Sequence, residues 1–227
     1  MPSGVIFDVD GTLVDTTFIH TVCWADALAT VGHTVPMADI HHAIGMGSTE
    51  LLDHLLPERD RSSDEKIVTA HLALYREYWG RLSAFDKAAE LLRRCAEQGH
   101  KIVLASSAST DELAALKHAL DADDVIDVAT SSSDAESGKP HPDILTAALD
   151  QSGLDAETAV FVGDSVWDAE AAAKSGIVFV AVACGGTPAR ELRDAGAIET
   201  WRDPAELLER LDDSVISRSR LPDAGRG

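Results

Sequence analysis

The chain has 227 residues and a mass of 24.1 kDa, with 45% hydrophobic residues, a mean hydropathy of -0.03 and 39 acidic against 19 basic side chains, a formal charge of -20. So acidic a chain repels nucleic-acid phosphates and anionic lipid, which excludes a general polyanion-binding role; any phosphate site must be built locally from a metal, backbone amides and a few chosen cations. Cys23, Cys95 and Cys184 are too few and too scattered for a disulfide framework or a zinc cage, and no apolar run approaches a membrane span. The apolar start Val5-Ile6-Phe7 is cut off by Asp8 and Asp10, so it does not read as a signal peptide. The expectation is a cytoplasmic protein with no nucleic-acid or membrane partner, as a monomer or small homo-oligomer.

Gly4 to Val9 is short, apolar and β-branched, and reads as a buried strand. A helical pattern follows Gly11-Thr12, with Phe18, Val22, Ala25 and Leu28 on one face and a stop at Gly32. Residues 38–44, 49–56 and 64–79 are also helical, the last with a stripe of Ile67, Ala70, Leu74 and Tyr78. No convincing strand occurs between 15 and 83. The rhythm then changes: helix 87–97, strand 101–105, helix 111–120, strand 125–129, helix 142–151, strand 159–162, helix 169–174 and strand 177–182. Strands apolar on both faces and alternating with helices predict a parallel sheet covered on both sides. The expected fold is therefore α/β: a Rossmann-like parallel-sheet core from 1–14 and 84–213, with an inserted α-helical domain at 15–83. Residues 214–227 read as a frayed tail.

Ligands of such sheets bind at the carboxyl ends of the strands. The first strand is followed by Asp8, Asp10, Gly11 and Thr12; strand 101–105 by Ser106 and Ser107; Lys139-Pro140 opens a helix; and strand 159–162 is followed by Gly163, Asp164 and Asp168. Carboxylates, a hydroxyl and a lysine thus converge on one edge.

Phe7-Asp8-Val9-Asp10-Gly11-Thr12-Leu13-Val14-Asp15 resembles the first motif of the haloacid dehalogenase superfamily. Ser106, Lys139-Pro140 and Gly163-Asp164-x-x-x-Asp168 resemble its other three motifs, in order. The helical insertion resembles the cap of the phosphoglycolate phosphatase and β-phosphoglucomutase branch. The resemblance implies a magnesium-dependent phosphatase acting on a small phosphorylated metabolite through an aspartyl-phosphate. It makes Asp8 the nucleophile and Asp10 the acid and base, with Ser106 and Lys139 holding phosphoryl oxygens, assisted by amides around Gly11. Magnesium would take Asp8, Asp164 and the Asp10 carbonyl, while Asp168 either binds the metal or orders its water or Lys139. His20 and Trp24, at i and i+4 on the first cap helix, resemble substrate-facing positions, the alternative being Trp24 in the cap core and His20 in solvent. Ser48 and His71 are further candidates for the leaving group.

Two other chemistries fit the same scaffold. A phosphomutase needs a second phosphate site in the cap, yet residues 15–80 carry only Arg59, Arg61, Lys66 and Arg76 as fixed cations. Dehalogenases of the superfamily generally lack the aspartate that Asp10 supplies. A departure from the family pattern is Ser83-Ala84-Phe85-Asp86, where relatives usually carry a Pro-Gly turn.

Overall fold

The computed structural model describes residues 3–218. Strand β1 (Gly4–Phe7) is followed by four helices, α1 (Thr17–Ala29), α2 (Met37–Ala43), α3 (Ser48–Leu55) and α4 (Asp64–Arg76). Then come α5 (Ala88–Glu97), β2 (Lys101–Ala105), α6 (Thr110–Leu120), β3 (Val128–Thr130), α7 (Asp143–Ser152), β4 (Ala159–Gly163), α8 (Val166–Ser175) and β5 (Val178–Val182). The chain closes with α9 (Ala189–Asp194), β6 (Glu199–Trp201) and α10 (Pro204–Glu209).

The six strands form one sheet in the order β3-β2-β1-β4-β5-β6, every pair parallel. Strand alternation sends Val5 and Phe7 to one face, where they join Leu91, Leu104, Leu116 and Val160, and sends Ile6 to the other, with Val103, Ile144, Phe161 and Phe179. Both faces are dry, which explains why β1, β2, β4 and β5 read as unbroken apolar runs. The first strand lies in the middle of the sheet, so its carboxyl end is flanked by those of β2 and β4.

The four helices of the insertion have an apolar cluster of their own, built on Trp24, Leu28, Ile40, Leu51, Leu52 and Ile67. Its two connections to the sheet run side by side: Asp15 N donates to Ser83 O at 3.0 Å, Phe85 N to Leu13 O at 2.9 Å, and Val14 bridges Ala84.

Three expectations need correction. Helix α1 buries only part of the stripe read from its apolar residues: Leu28 is buried and Ala25 partly so, but Phe18 and Val22 are 58% and 40% exposed, and the buried face is Thr17, His20, Thr21, Cys23, Trp24, Ala27 and Leu28. The buried face carries the helix's polar residues because it looks onto the strand ends. The strand expected at 125–129 starts only at Val128, since Val125 is in a turn. The tail is not frayed at its start: Ser214, Val215 and Ile216 are fully buried, with the Ser214 hydroxyl and the Val215 amide both donating to Glu199. The rest of that expectation, from 219 onward, lies outside the described residues. Helices α9 and α10 and the edge strand β6 have no counterpart in the sequence reading.

Candidate active site

The carboxyl end of β1 is a tight loop. Gly11 N donates to Val14 O at 2.8 Å, and the amides of Thr12, Leu13 and Val14 all donate to Val9 O. This fold-back needs a left-handed residue at Gly11, whose φ is 79°, and a Cβ there would collide with Thr17 and the Asp164 carboxylate. The Gly11 and Thr12 amides are thus engaged inside the loop.

Asp8, on this loop, is 5% exposed. Lys139 lies between two carboxylates, its Nζ donating to Asp8 Oδ1 at 2.5 Å and to Asp168 Oδ1 at 2.7 Å. Asp164, at the end of β4, accepts from the Thr12 hydroxyl at 2.9 Å, and the same hydroxyl is 3.2 Å from Asp8 Oδ2. Oxygen atoms of Asp8, Asp164 and Asp168 lie within 4.8 Å of one another. Gly185, on the loop after β5, is packed so closely on Asp164 that a Cβ would overlap the carboxylate, which gives the Gly185-Gly186 turn a steric reason.

Three buried carboxylates share one lysine, and their protonation reflects it. Burial pushes the Asp8 carboxyl up to about 7, with Lys139 pulling it down and Asp168 and Asp10 pushing it up. Burial, with Asp168 and Asp8 beside it, drives Asp164 well above the usual carboxylate range. Burial disfavours the Lys139 charge, yet Asp168 and Asp8 outweigh it and raise the ammonium above its ordinary value. The excess negative charge and hard oxygen donors fit a divalent cation such as magnesium. Asp168 fits a different task. Its Oδ1 is on Lys139, and its Oδ2 accepts from Ser165 N at 3.0 Å and Ser165 Oγ at 2.6 Å in a capping box at the start of α8.

Asp10 points away from this group. Its Oδ1 accepts from Thr16 Oγ1 at 2.7 Å and lies 3.3 Å from His20 Nε2; its Oδ2 is 3.5 Å from Ser106 Oγ. Burial works against the Asp10 charge, but the His20 and Thr16 hydrogen bonds outweigh it and hold the carboxyl below its ordinary value. His20 is raised in turn: Asp10 and Glu112 overcome the effect of burial. The other nitrogen of His20 is 3.1 Å from His71 Nε2, and His71 stacks on Trp24 at 4.1 Å between centroids. Trp24 thus belongs to the insertion's apolar cluster and also lines the site, while His20, at 8% exposure, is not in solvent.

A cavity of about 330 Å³ lies between the strand ends and the insertion, lined by Asp8, Asp10 and Lys139 below and by His20, Trp24, Ser48 and His71 above. Ser106 is fully buried and is not among the lining residues; its hydroxyl accepts from Ala108 N at 3.0 Å. The roof of the cavity is tied down: Gly47 N donates to Lys139 O at 3.1 Å, Gly138 N to Glu50 Oε1 at 3.1 Å, and Trp167 Nε1 to His42 O at 2.8 Å. The sequence reading placed Thr12 at the strand end without giving it a role, and it missed Thr16 and Glu112 as parts of the site. Ser109-x-x-Glu112 is a legible capping signature, but nothing local says that Glu112, 4% exposed, also lines the cavity.

A profile of the haloacid dehalogenase-like hydrolase family matches residues 2–176. A phosphoglycolate phosphatase of Nitrosococcus oceani is 26% identical over 203 residues, covering 86% of this chain and 89% of its own. The (S)-2-haloacid dehalogenase 4A of Burkholderia cepacia is 27% identical over 200 residues, covering 81% and 84%. Among solved structures, a hydrolase from Pseudomonas syringae superposes with a TM-score of 0.89 at 30% identity, covering 94% of this chain and 99% of that one.

Proposed function

The chain belongs to the haloacid dehalogenase-like hydrolase family, and we propose from the arrangement of its site that it is a magnesium-dependent phosphatase that hydrolyses a small phosphomonoester through an aspartyl-phosphate on Asp8. The observation that carries this reading is Lys139 held between Asp8 and Asp168, with Asp164 buried alongside at the ends of adjacent strands. The side chains of Asp8 and Asp164 and the carbonyl of Asp10 would hold magnesium, which when bound screens the charge between a carboxylate nucleophile and a phosphoryl group. The helical insertion serves as the cap that closes over the substrate.

The residues divide the work. An oxygen of Asp8 attacks phosphorus as the ester oxygen leaves. Lys139 and Ser106 bind the phosphoryl oxygens, and Asp168 orients Lys139 through the bond at 2.7 Å. Asp10 gives a proton to the leaving oxygen and later takes one from the water that attacks the phosphoenzyme. His20 Nε2, facing Asp10 Oδ1, keeps a proton within that pair.

The dehalogenase relative makes a second reading specific. Asp10, positioned by three side chains, has no task in displacing a halide, which needs no protonation, and this favours the phosphatase. Purified protein should release inorganic phosphate from an aryl phosphate with magnesium, lose the activity on chelation and regain it when magnesium is restored. Halide release from a 2-haloacid in the presence of chelator, with no phosphate release, would place the chain with the dehalogenases instead.

A further inference from the structure

The walls of the cavity define what the leaving group can be. Among the described residues five acids line it, Asp8, Asp10, Glu50, Glu112 and Glu136, against one Lys or Arg, Lys139. That lysine is already bonded to Asp8 and Asp168, so among the described residues no Lys or Arg lines the space beyond the phosphoryl position, and His20 there is already held by Asp10 and Glu112. A second anionic group on the substrate, a carboxylate or a phosphate, would lie among Glu50, Glu112 and Glu136 without a partner.

His71 supplies the complementary observation. It is 5% exposed and lines the cavity, its Nε2 is on His20, and its Nδ1 is buried without a hydrogen-bond partner among the described residues. A buried nitrogen left unpaired is costly, and a ligand hydroxyl that reached it would relieve that cost. In the ring-to-ring bond one nitrogen donates and the other accepts, and the carboxylates of Asp10 and Glu112 face the His20 ring. Burial holds His71 well below its ordinary value, as does the neighbouring His20. A neutral nitrogen does not neutralise an anion. A hydroxyl, which both donates and accepts, satisfies Nδ1 in either tautomer, and the glutamates accept from further hydroxyls.

We infer that the substrate is the phosphomonoester of an uncharged, hydroxylated leaving group, bound through a hydroxyl at His71 Nδ1, and that the acidic cavity discriminates against esters with a second anion such as phosphoglycolate. The inference rests on the phosphatase reading. Two matched esters test it: 2-hydroxyethyl phosphate and phosphoglycolate share a two-carbon chain and differ in ending with a hydroxymethyl or a carboxylate. The value of kcat/KM should favour 2-hydroxyethyl phosphate by at least ~10-fold. In His71→Phe, which keeps a ring against Trp24 but has no nitrogen, the preference for 2-hydroxyethyl phosphate over ethyl phosphate should shrink. A purely structural role for His71 would lower both esters together and leave that ratio unmoved, which would overturn the assignment. Phosphoglycolate turning over as well as or better than its partner, in a preparation active on an aryl phosphate, overturns this inference alone. Absence of phosphate release from every ester, the aryl phosphate included, removes it together with the phosphatase reading.

Discussion

Asp8→Asn is expected to lower kcat by at least ~10⁴-fold with the fold intact, because it replaces the carboxylate nucleophile, which is also a proposed magnesium ligand, by a neutral amide of the same shape. Asparagine has the shape of aspartate, so Lys139 keeps an oxygen on one side and Asp168 on the other at 2.7 Å. The substitution also removes a charge that burial disfavours, as the rise of the Asp8 carboxyl to about 7 indicates. The melting temperature should therefore be no lower than that of the parent protein. Turnover measured with magnesium, alongside a thermal melt, separates lost chemistry from lost structure. A variant that melts normally and turns over within ten-fold of the parent would remove Asp8 from the nucleophile's role.

Asp10→Asn should lose ~10²–10⁴ in kcat on alkyl phosphates, the usual range for removing a general acid and base. The loss should be smaller on a nitrophenyl phosphate, whose leaving group departs as a stable anion and needs no proton. Asparagine can accept from Thr16 with its oxygen and donate to Ser106 Oγ with its nitrogen, in place of the bonds that Asp10 accepts at 2.7 and 3.5 Å, so the loop should hold its shape. It cannot carry a proton from the His20 pair to the ester oxygen. Equal losses on alkyl and aryl esters would mean that Asp10 acts by charge or position and not by proton transfer.

Much of the core was legible because its signals are local. Strands buried on both faces leave unbroken apolar runs, and ligand-bearing residues stand directly after them; Asp8, Ser106 and Asp164 are found this way. What stayed hidden depends on partners distant in the chain. Helix α1 offered an apolar stripe at Phe18 and Val22, yet the stripe that packs includes His20, because Asp10 and His71 are there to receive it. Glu112 reads as a helix cap and is one, while its second role depends on a histidine 92 positions earlier in the chain. Ser214 to Ile216 looked like a polar tail because the acceptor that anchors it, Glu199, belongs to a three-residue strand that shows no pattern of its own.

The most direct test of the account is the stereochemical course at phosphorus, followed with a phosphomonoester made chiral by three oxygen isotopes and hydrolysed by the magnesium-loaded protein in an alcohol-containing buffer that traps a chiral product. Transfer first to Asp8 and then onward inverts the centre twice, so the account predicts net retention. Net inversion would mean a single in-line displacement on the substrate, with no phosphoryl group ever on Asp8, and would contradict it.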